Sequence, residues 1–162
     1  MELTLRPLTL DDTAAVHEWA RLPEVSRYQG WGPNTFEQTE EYVRSSVPAP
    51  DGRQVLAIVV DGLVVGNGEL RLHGPSTGEI GYAVHPRLWG RGIATTAARR
   101  LLELGFREYG RHRIFGTCDP RNEASAAVLR KIGMRYEGRM RGTAHIRDGW
   151  RDSDLYAILA TD

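Results

Sequence analysis

Apolar and polar positions alternate with two periods along this chain, and each change of period marks a change of element. Residues 2–8 alternate through Leu3 and Leu5 and meet Pro7, which predicts a short strand. Thr9-Leu10-Asp11-Asp12 then offers capping side chains to a helix carrying Ala14, Val16 and Trp19. No period survives from Pro23 to Pro33, and Tyr28-Gln29-Gly30-Trp31-Gly32-Pro33 reads as an aromatic, glycine-rich loop. A capping box, Thr35-Phe36-Glu37-Gln38, starts the next helix, which runs through Tyr42 and Val43 to about Val47. Residues 55–60 and 63–72 are strands joined by the two-residue turn Asp61-Gly62. After a turn at 74–78, residues 79–84 form the next strand, so three antiparallel strands follow one another.

The period then becomes helical. Beyond Gly92, Ala94, Ala97, Ala98, Leu101, Leu102, Gly105 and Phe106 share one side, while Arg99, Arg100, Glu103 and Arg107 fall largely on the other. Residues 114–118 predict a short strand, 119–122 a turn, and 123–132 a helix ended by Gly133. Two final strands, 135–145 and 150–159, alternate around Arg147-Asp148-Gly149. The element order is β-α-α-β-β-β-α-β-α-β-β with no repeat, low-complexity tract or linker. One α+β domain spanning residues 1–162 is expected.

Composition changes this picture mainly by exclusion. The net charge is zero, so the chain lacks a strongly basic footprint and no DNA partner is expected. Cys118 stands alone, which excludes an internal disulfide and a cysteine metal cluster. The histidines (His17, His73, His85, His112 and His145) show no H-x-x-x-H spacing, and no metal is expected. Met1-Glu2-Leu3-Thr4-Leu5-Arg6 contains no apolar h-region, and no run approaches ~18 apolar residues. A cytoplasmic protein without a membrane partner is the expectation. Lys131 is the only lysine, from which alone no function follows.

The chemistry concentrates where the alternating strand 79–84 turns at Pro86, crosses Gly90 and Gly92, and enters the long helix. Glycines permit close backbone approach, and a helix start presents unpaired N–H donors and a positive dipole end, so this turn suits a phosphate or pyrophosphate. A P-loop would require G-x-x-x-x-G-K-[S/T], but no lysine follows either glycine. The dinucleotide fingerprint G-x-G-x-x-G would require glycine or alanine where Thr95 stands, near the first strand of a parallel sheet.

The pattern that fits is R/Q-x-x-G-x-G/A after a V-x-P turn: Val84 and Pro86, then Arg87-Leu88-Trp89-Gly90-Arg91-Gly92. In this the sequence resembles the GCN5-related N-acetyltransferases, the GNAT family. Asn122-Glu123-Ala124-Ser125 and Val128-Leu129-x-Lys131-x-Gly133-Met134 are similar to that family's N-x-x-S…V-L-x-K-x-G-F segment, with Met134 in place of phenylalanine. Trp89-Gly90-x-Gly92-x-Ala94-Thr95 and Gly149-Trp150-Arg151-Asp152-Ser153-x-Leu155-Tyr156 resemble its RimJ/RimL-like branch. The resemblance implies a single GNAT-like domain with a mixed, mostly antiparallel central sheet, splayed at the fourth and fifth strands, with helices on both faces. It implies acetyl-CoA as acyl donor. Backbone of Tyr82, Ala83 and Val84 would pair with the pantetheine arm. The pyrophosphate would lie in a cradle running from Arg87 through Leu88, Trp89, Gly90, Arg91, Gly92, Ile93 and Ala94 to Thr95.

Acetyl transfer requires a neutral amine, a polarised thioester carbonyl and a stabilised or protonated leaving thiolate. Positioning alone supplies effective molarities of about 10⁵–10⁸ M. Asn122 suits a helix N-cap, and by resemblance it also touches the pantetheine arm. The resemblance places Ser125 near the thioester sulfur as an acid for the thiolate. Many members carry a tyrosine seven residues after the asparagine; Leu129 occupies that position here. For the base, Glu79 stands where several members carry a carboxylate, and Glu69, His145 and water alone remain alternatives. The alternation 135, 139, 141, 147 would put four arginines on one strand face, either solvated or meeting an acidic partner. The resemblance implies an enzyme that transfers acetyl to a primary amine, small molecule or protein N-terminus, by direct attack in a ternary complex, with a non-catalytic acyl-CoA sensor as the alternative. The Tyr28–Pro33 loop and the terminal strands would shape an acceptor pocket, and an exposed terminal edge is compatible with a homodimer.

Overall fold

In the computed structural model, which describes residues 1–162, the strand β2 (Arg53–Val60) shows why helices lie on both faces of the sheet. Val55 and Ala57 pack with Val16, Trp19 and Val43. Leu56 joins the largest core cluster with Leu70, Ile80 and Leu101, and Ile58 and Val60 meet Ile93 and Ala97. Alternate residues of one strand therefore face different helices. The first face is covered by α1 (Thr13–Ala20) and α3 (Phe36–Ser46), the second by α4 (Ile93–Glu103) and α5 (Glu123–Lys131).

Seven strands make one sheet: β1 (Leu3–Pro7), β2, β3 (Leu63–His73), β4 (Thr77–Val84), β5 (Arg113–Cys118), β6 (Arg135–Ile146) and β7 (Gly149–Leu159), ordered β1-β2-β3-β4-β5-β7-β6. All neighbours are antiparallel except β4 and β5. That parallel pair is short. Thr77, Gly78 and Glu79 pair with Arg113, Ile114 and Phe115, and beyond Glu79 the two strands separate. The expected splay between the fourth and fifth strands is present. No helix is long and apolar enough to cross a membrane.

Several boundaries differ from the expectation for physical reasons. Pro23–Ser26, inside the segment read as loop, forms a helical turn, α2, with proline at its start, where its missing N–H costs nothing. β4 begins at Thr77 because Thr77 and Gly78 already pair with His73 and Leu72. After Glu103 the long helix widens into a π turn, Leu104–Glu108. The four late arginines do not share a face. Register shifts between Tyr136 and Gly138 and between Met140 and Ala144 break the alternation, so Arg135 faces Ala157 whereas Arg139 faces Asp154. Arg139 and Asp154 form an ion pair, and Arg147 lies in the β6–β7 turn, outside both strands.

Close approach of β3 to β4 depends on Gly66. A methyl group there would stand 2.3 Å from the carbonyl oxygen of Ala83 and 3.1 Å from Val84 Cα. Backbone cannot yield as a side-chain tip can. Gly66→Ala is therefore expected to lower stability by about 1–3 kcal/mol, read as a lower urea midpoint at unchanged slope.

Candidate active site

β4 and α4 are joined by a turn whose main chain is left open. Leu88 and Trp89 amides bond back to His85 and Pro86, but the amides of Gly90, Arg91 and Gly92 have no backbone acceptor. The first amides of α4 precede any intrahelical acceptor, so they add to the same donor cluster. Gly90 and Gly92 both have φ of 77°, and nothing lies within 4 Å of a side chain built on either. Conformation requires glycine at these positions; packing does not. The Trp89 indole N–H donates to the Val84 carbonyl at 2.8 Å and ties the turn to the end of β4.

A cleft of 1450 Å³ runs from this turn along the parted strands to the α1–α3 side. The strand residues Tyr82, Ala83 and Val84 line it, as do Leu88, Trp89, Gly90, Gly92, Ile93, Ala94 and Thr95. Asn122, Ser125 and Glu79 complete the set, so the structure brings most of the sequence-predicted residues to one cavity. Arg87 and Arg91 are the exceptions: both are exposed and stay outside the lining. His145 is also outside, exposed on β6 with its ring against Trp150 at 5.1 Å.

Asn122 caps α5, its Oδ1 accepting the Ser125 amide at 3.2 Å. Ser125 Oγ lies 3.2 Å from the hydroxyl of Tyr82, which reaches across from β4. Burial pushes the Tyr82 phenol up to about 12, so it holds its proton through the neutral range. Cys118, at the end of β5 and also lining the cleft, is likewise pushed up by burial, to about 11.

At the far end, charges are paired in a chain. Glu69 accepts from Arg53 at 2.7 Å and Tyr42 at 2.7 Å through Oε1, and from Arg71 at 3.2 Å through Oε2. Asn67 in turn donates to the Tyr42 oxygen at 3.0 Å. Burial pushes the Glu69 carboxyl up, but the bonds from Arg53 and Tyr42 and the two guanidinium charges outweigh it, and the carboxyl sits below its ordinary value. Burial beside Glu69 pushes Tyr42 up as well. Arg71 also pairs with Glu79 at 2.9 Å, and Glu79 Oε1 lies 2.9 Å from His73 Nε2. Glu69 is thus saturated with donors and poorly suited to take a proton. Glu79 lines the cleft with one side and touches exposed His73 with the other.

Tyr42, Arg53, Asn67 and Arg71 were not singled out from the sequence. The spacing Asn67, Glu69, Arg71 along one strand was the available signal, because alternate residues share a face.

A sheet parted between parallel strands, with free helix-start amides at one end of the opening and titratable groups at the other, defines an acyl-CoA-dependent N-acetyltransferase architecture. The model of the Acetyltransferase (GNAT) domain matches residues 2–135. The uncharacterized N-acetyltransferase YnaD of Bacillus subtilis is 32% identical over 160 residues, covering 97% of this chain and 93% of the relative. The crystal structure of a GNAT-family acetyltransferase from Bacillus anthracis superposes with a TM-score of 0.90 at 32% identity, covering 100% of this chain and 97% of that one. Mycobacterium smegmatis RimJ in complex with CoA-disulfide superposes with a TM-score of 0.84 at 28% identity, covering 98% and 82%. The chain belongs to the GNAT family of acetyl-CoA-dependent N-acetyltransferases.

The Glu69 network generates a pH dependence. A carboxyl lowered on folding adds stability above its unfolded pKa, ordinarily 4.5, and that stability is lost as pH falls through the folded value. Glu69→Gln is expected to cost ~1–3 kcal/mol near neutrality. In urea titrations the gap from the native chain should close as pH drops below 4.5.

Proposed function

We propose that this protein moves the acetyl group of acetyl-CoA to a primary amine, a small molecule or a protein N-terminus, by direct attack with both substrates bound. The observation that carries this reading is the continuous cleft: one opening links the amides at the start of α4, the unpaired edge of β4 and Glu79. The residues suit a coenzyme A group on three grounds. Helix-start amides from Ile93 to Thr95, with those of Gly90 and Gly92, offer donors to a pyrophosphate. Beyond Glu79, β4 has a strand neighbour on the β3 side alone, so its other edge offers backbone pairing to an extended arm. Asn122 keeps its side-chain N–H groups for that arm while its oxygen caps α5. When bound, acetyl-CoA supplies the activated thioester.

The chain's own groups then have separate tasks. Glu79 takes the amine proton, directly or through water, while Arg71 and His73 fix its two oxygens. Ser125 Oγ gives a proton to the departing thiolate and takes one back from solvent water entering the cleft, in the place where Leu129 leaves no tyrosine, and the Tyr82 hydroxyl holds that serine in place. Tyr28, Trp31 and Tyr42 line the end of the cleft where the amine enters.

Calorimetry should show acetyl-CoA binding, weakened by Gly92→Val, because φ of 77° excludes a branched side chain. Thiol release, followed over amino acids, polyamines, aryl amines and N-terminal peptides, should then find at least one acetylated acceptor. Absence of acetyl-CoA binding overturns the proposal; binding with silence across the panel favours a non-catalytic sensor. With a working acceptor, Ser125→Ala should lower kcat by roughly a hundredfold or more, as loss of a general acid does, at nearly unchanged acetyl-CoA affinity.

A further inference from the structure

The β6–β7 turn is bonded to a segment more than a hundred residues away. A guanidinium carries five N–H donors in a planar fork, and in Arg147 all five are directed at carbonyls of one loop. Nε donates to Gly32 O at 2.9 Å, and Nη1 to Ser26 O at 2.9 Å and Gln29 O at 3.2 Å. Nη2 donates to the carbonyls of Trp31 and Gly32. No carboxylate is among these partners. The carbonyls of Gln29, Trp31 and Gly32 accept no backbone N–H, so this one side chain gathers groups that secondary structure leaves unpaired.

The next residue acts on the same loop. Asp148 accepts from Arg121 at 2.8 Å, and the Arg121 guanidinium lies 5.2 Å from the centre of the Tyr28 ring, which Arg27 also meets at 5.1 Å. Tyr28, Gln29, Trp31 and Gly32 all line the cleft, on whose wall the α1–α3 side is also represented by Val16, Trp19 and Tyr42.

We propose that Arg147 is a positioning residue for acceptor recognition: it fixes the main chain of residues 26–32 so that Tyr28 and Trp31 form one wall of the amine pocket. The inference rests on the reading that the amine enters on this side. Lysine has three donors on a single nitrogen and cannot span four carbonyls. The conservative replacement should therefore behave like alanine.

Arg147→Ala and Arg147→Lys are compared with the native chain and with Arg141→Ala, an exposed arginine of the same hairpin. Acetyl-CoA affinity by calorimetry should be unchanged in all. Trypsin should cut after Arg27 faster in both Arg147 variants and at the native rate in the Arg141 variant. With an acceptor from the amine panel, KM for that amine should rise by roughly tenfold to a hundredfold, the scale of a group displaced by about 1 Å, with kcat much less affected. Native KM and native trypsin resistance in Arg147→Lys would overturn the proposal. Loss of acetyl-CoA binding in both Arg147 variants would too, since the guanidinium would then support the whole fold and not one wall. If no amine is acetylated, the acceptor role falls with the function it rests on, and trypsin sensitivity alone decides whether the clamp exists.

Discussion

Everything in this protein depends on a pairing that stops after three residues. β4 and β5 are the only parallel neighbours in the sheet, and they part beyond Glu79 and Phe115. A different helix packs on each. α4 lies on β3 and β4, where Gly68 lets Leu101 approach to 3.1 Å of a built Cβ. α5 sits on β5, where a side chain on Gly116 would stand 2.9 Å from Leu129. The exposed strand edges need partners, because main-chain groups removed from water without one cost more than a made bond returns. A wet cleft open to an extended ligand meets that requirement, and the turn after β4 places free helix-start amides at its mouth.

The opposite end obeys a second constraint: its carboxylates are buried enough to need counter-charges. Arg71 stands between Glu69 and Glu79 and touches both. Sharing one guanidinium makes the two carboxylates different. Glu69 takes three further bonds from Arg53 and Tyr42 and becomes a fixed structural anion, pulled below its ordinary pKa. Glu79 lines the cleft and has, besides Arg71, one partner, His73, that is half exposed. That asymmetry gives the two carboxylates different surroundings: Glu69 is enclosed by Arg53, Tyr42 and Arg71, whereas Glu79 shares its oxygens between Arg71 and a half-exposed histidine.

The element order was legible in the sequence because its signals are local, whereas the parting of the sheet between β4 and β5 came only through the family resemblance. Alternation, capping boxes and Asp61-Gly62 are read within a few residues, and Gly90 and Gly92 report a backbone conformation that almost only glycine adopts. The motif Asn122-x-x-Ser125 was legible for the same reason, since the cap spans three residues. What stayed hidden crosses the sheet or the chain. The bond between Tyr82 and Ser125 joins residues 43 apart, and Tyr42 to Glu69 spans 27. The supposed arginine face failed differently: alternation was extrapolated through two register shifts that carry no reliable mark in sequence. Glu69 and Glu79 look alike as letters in strands, and only their partners tell them apart.

The near absence of lysine gains meaning at this level. The chain has 21 basic residues apart from histidine, of which Lys131 alone is lysine. Arg6 grips Asp12 with two nitrogens at 2.8 Å, and Arg113 grips Glu137 at 2.9 and 2.7 Å. Arg53 and Arg139 hold Glu69 and Asp154 in the same forked way. Such contacts use the planar guanidinium as a two-pronged brace, which an ammonium cannot reproduce. Arg147 extends the principle from carboxylates to bare carbonyls, where direction matters more than charge. A composition bias that says nothing by itself thus becomes, once contacts are known, a set of forked braces between strands, turns and helices.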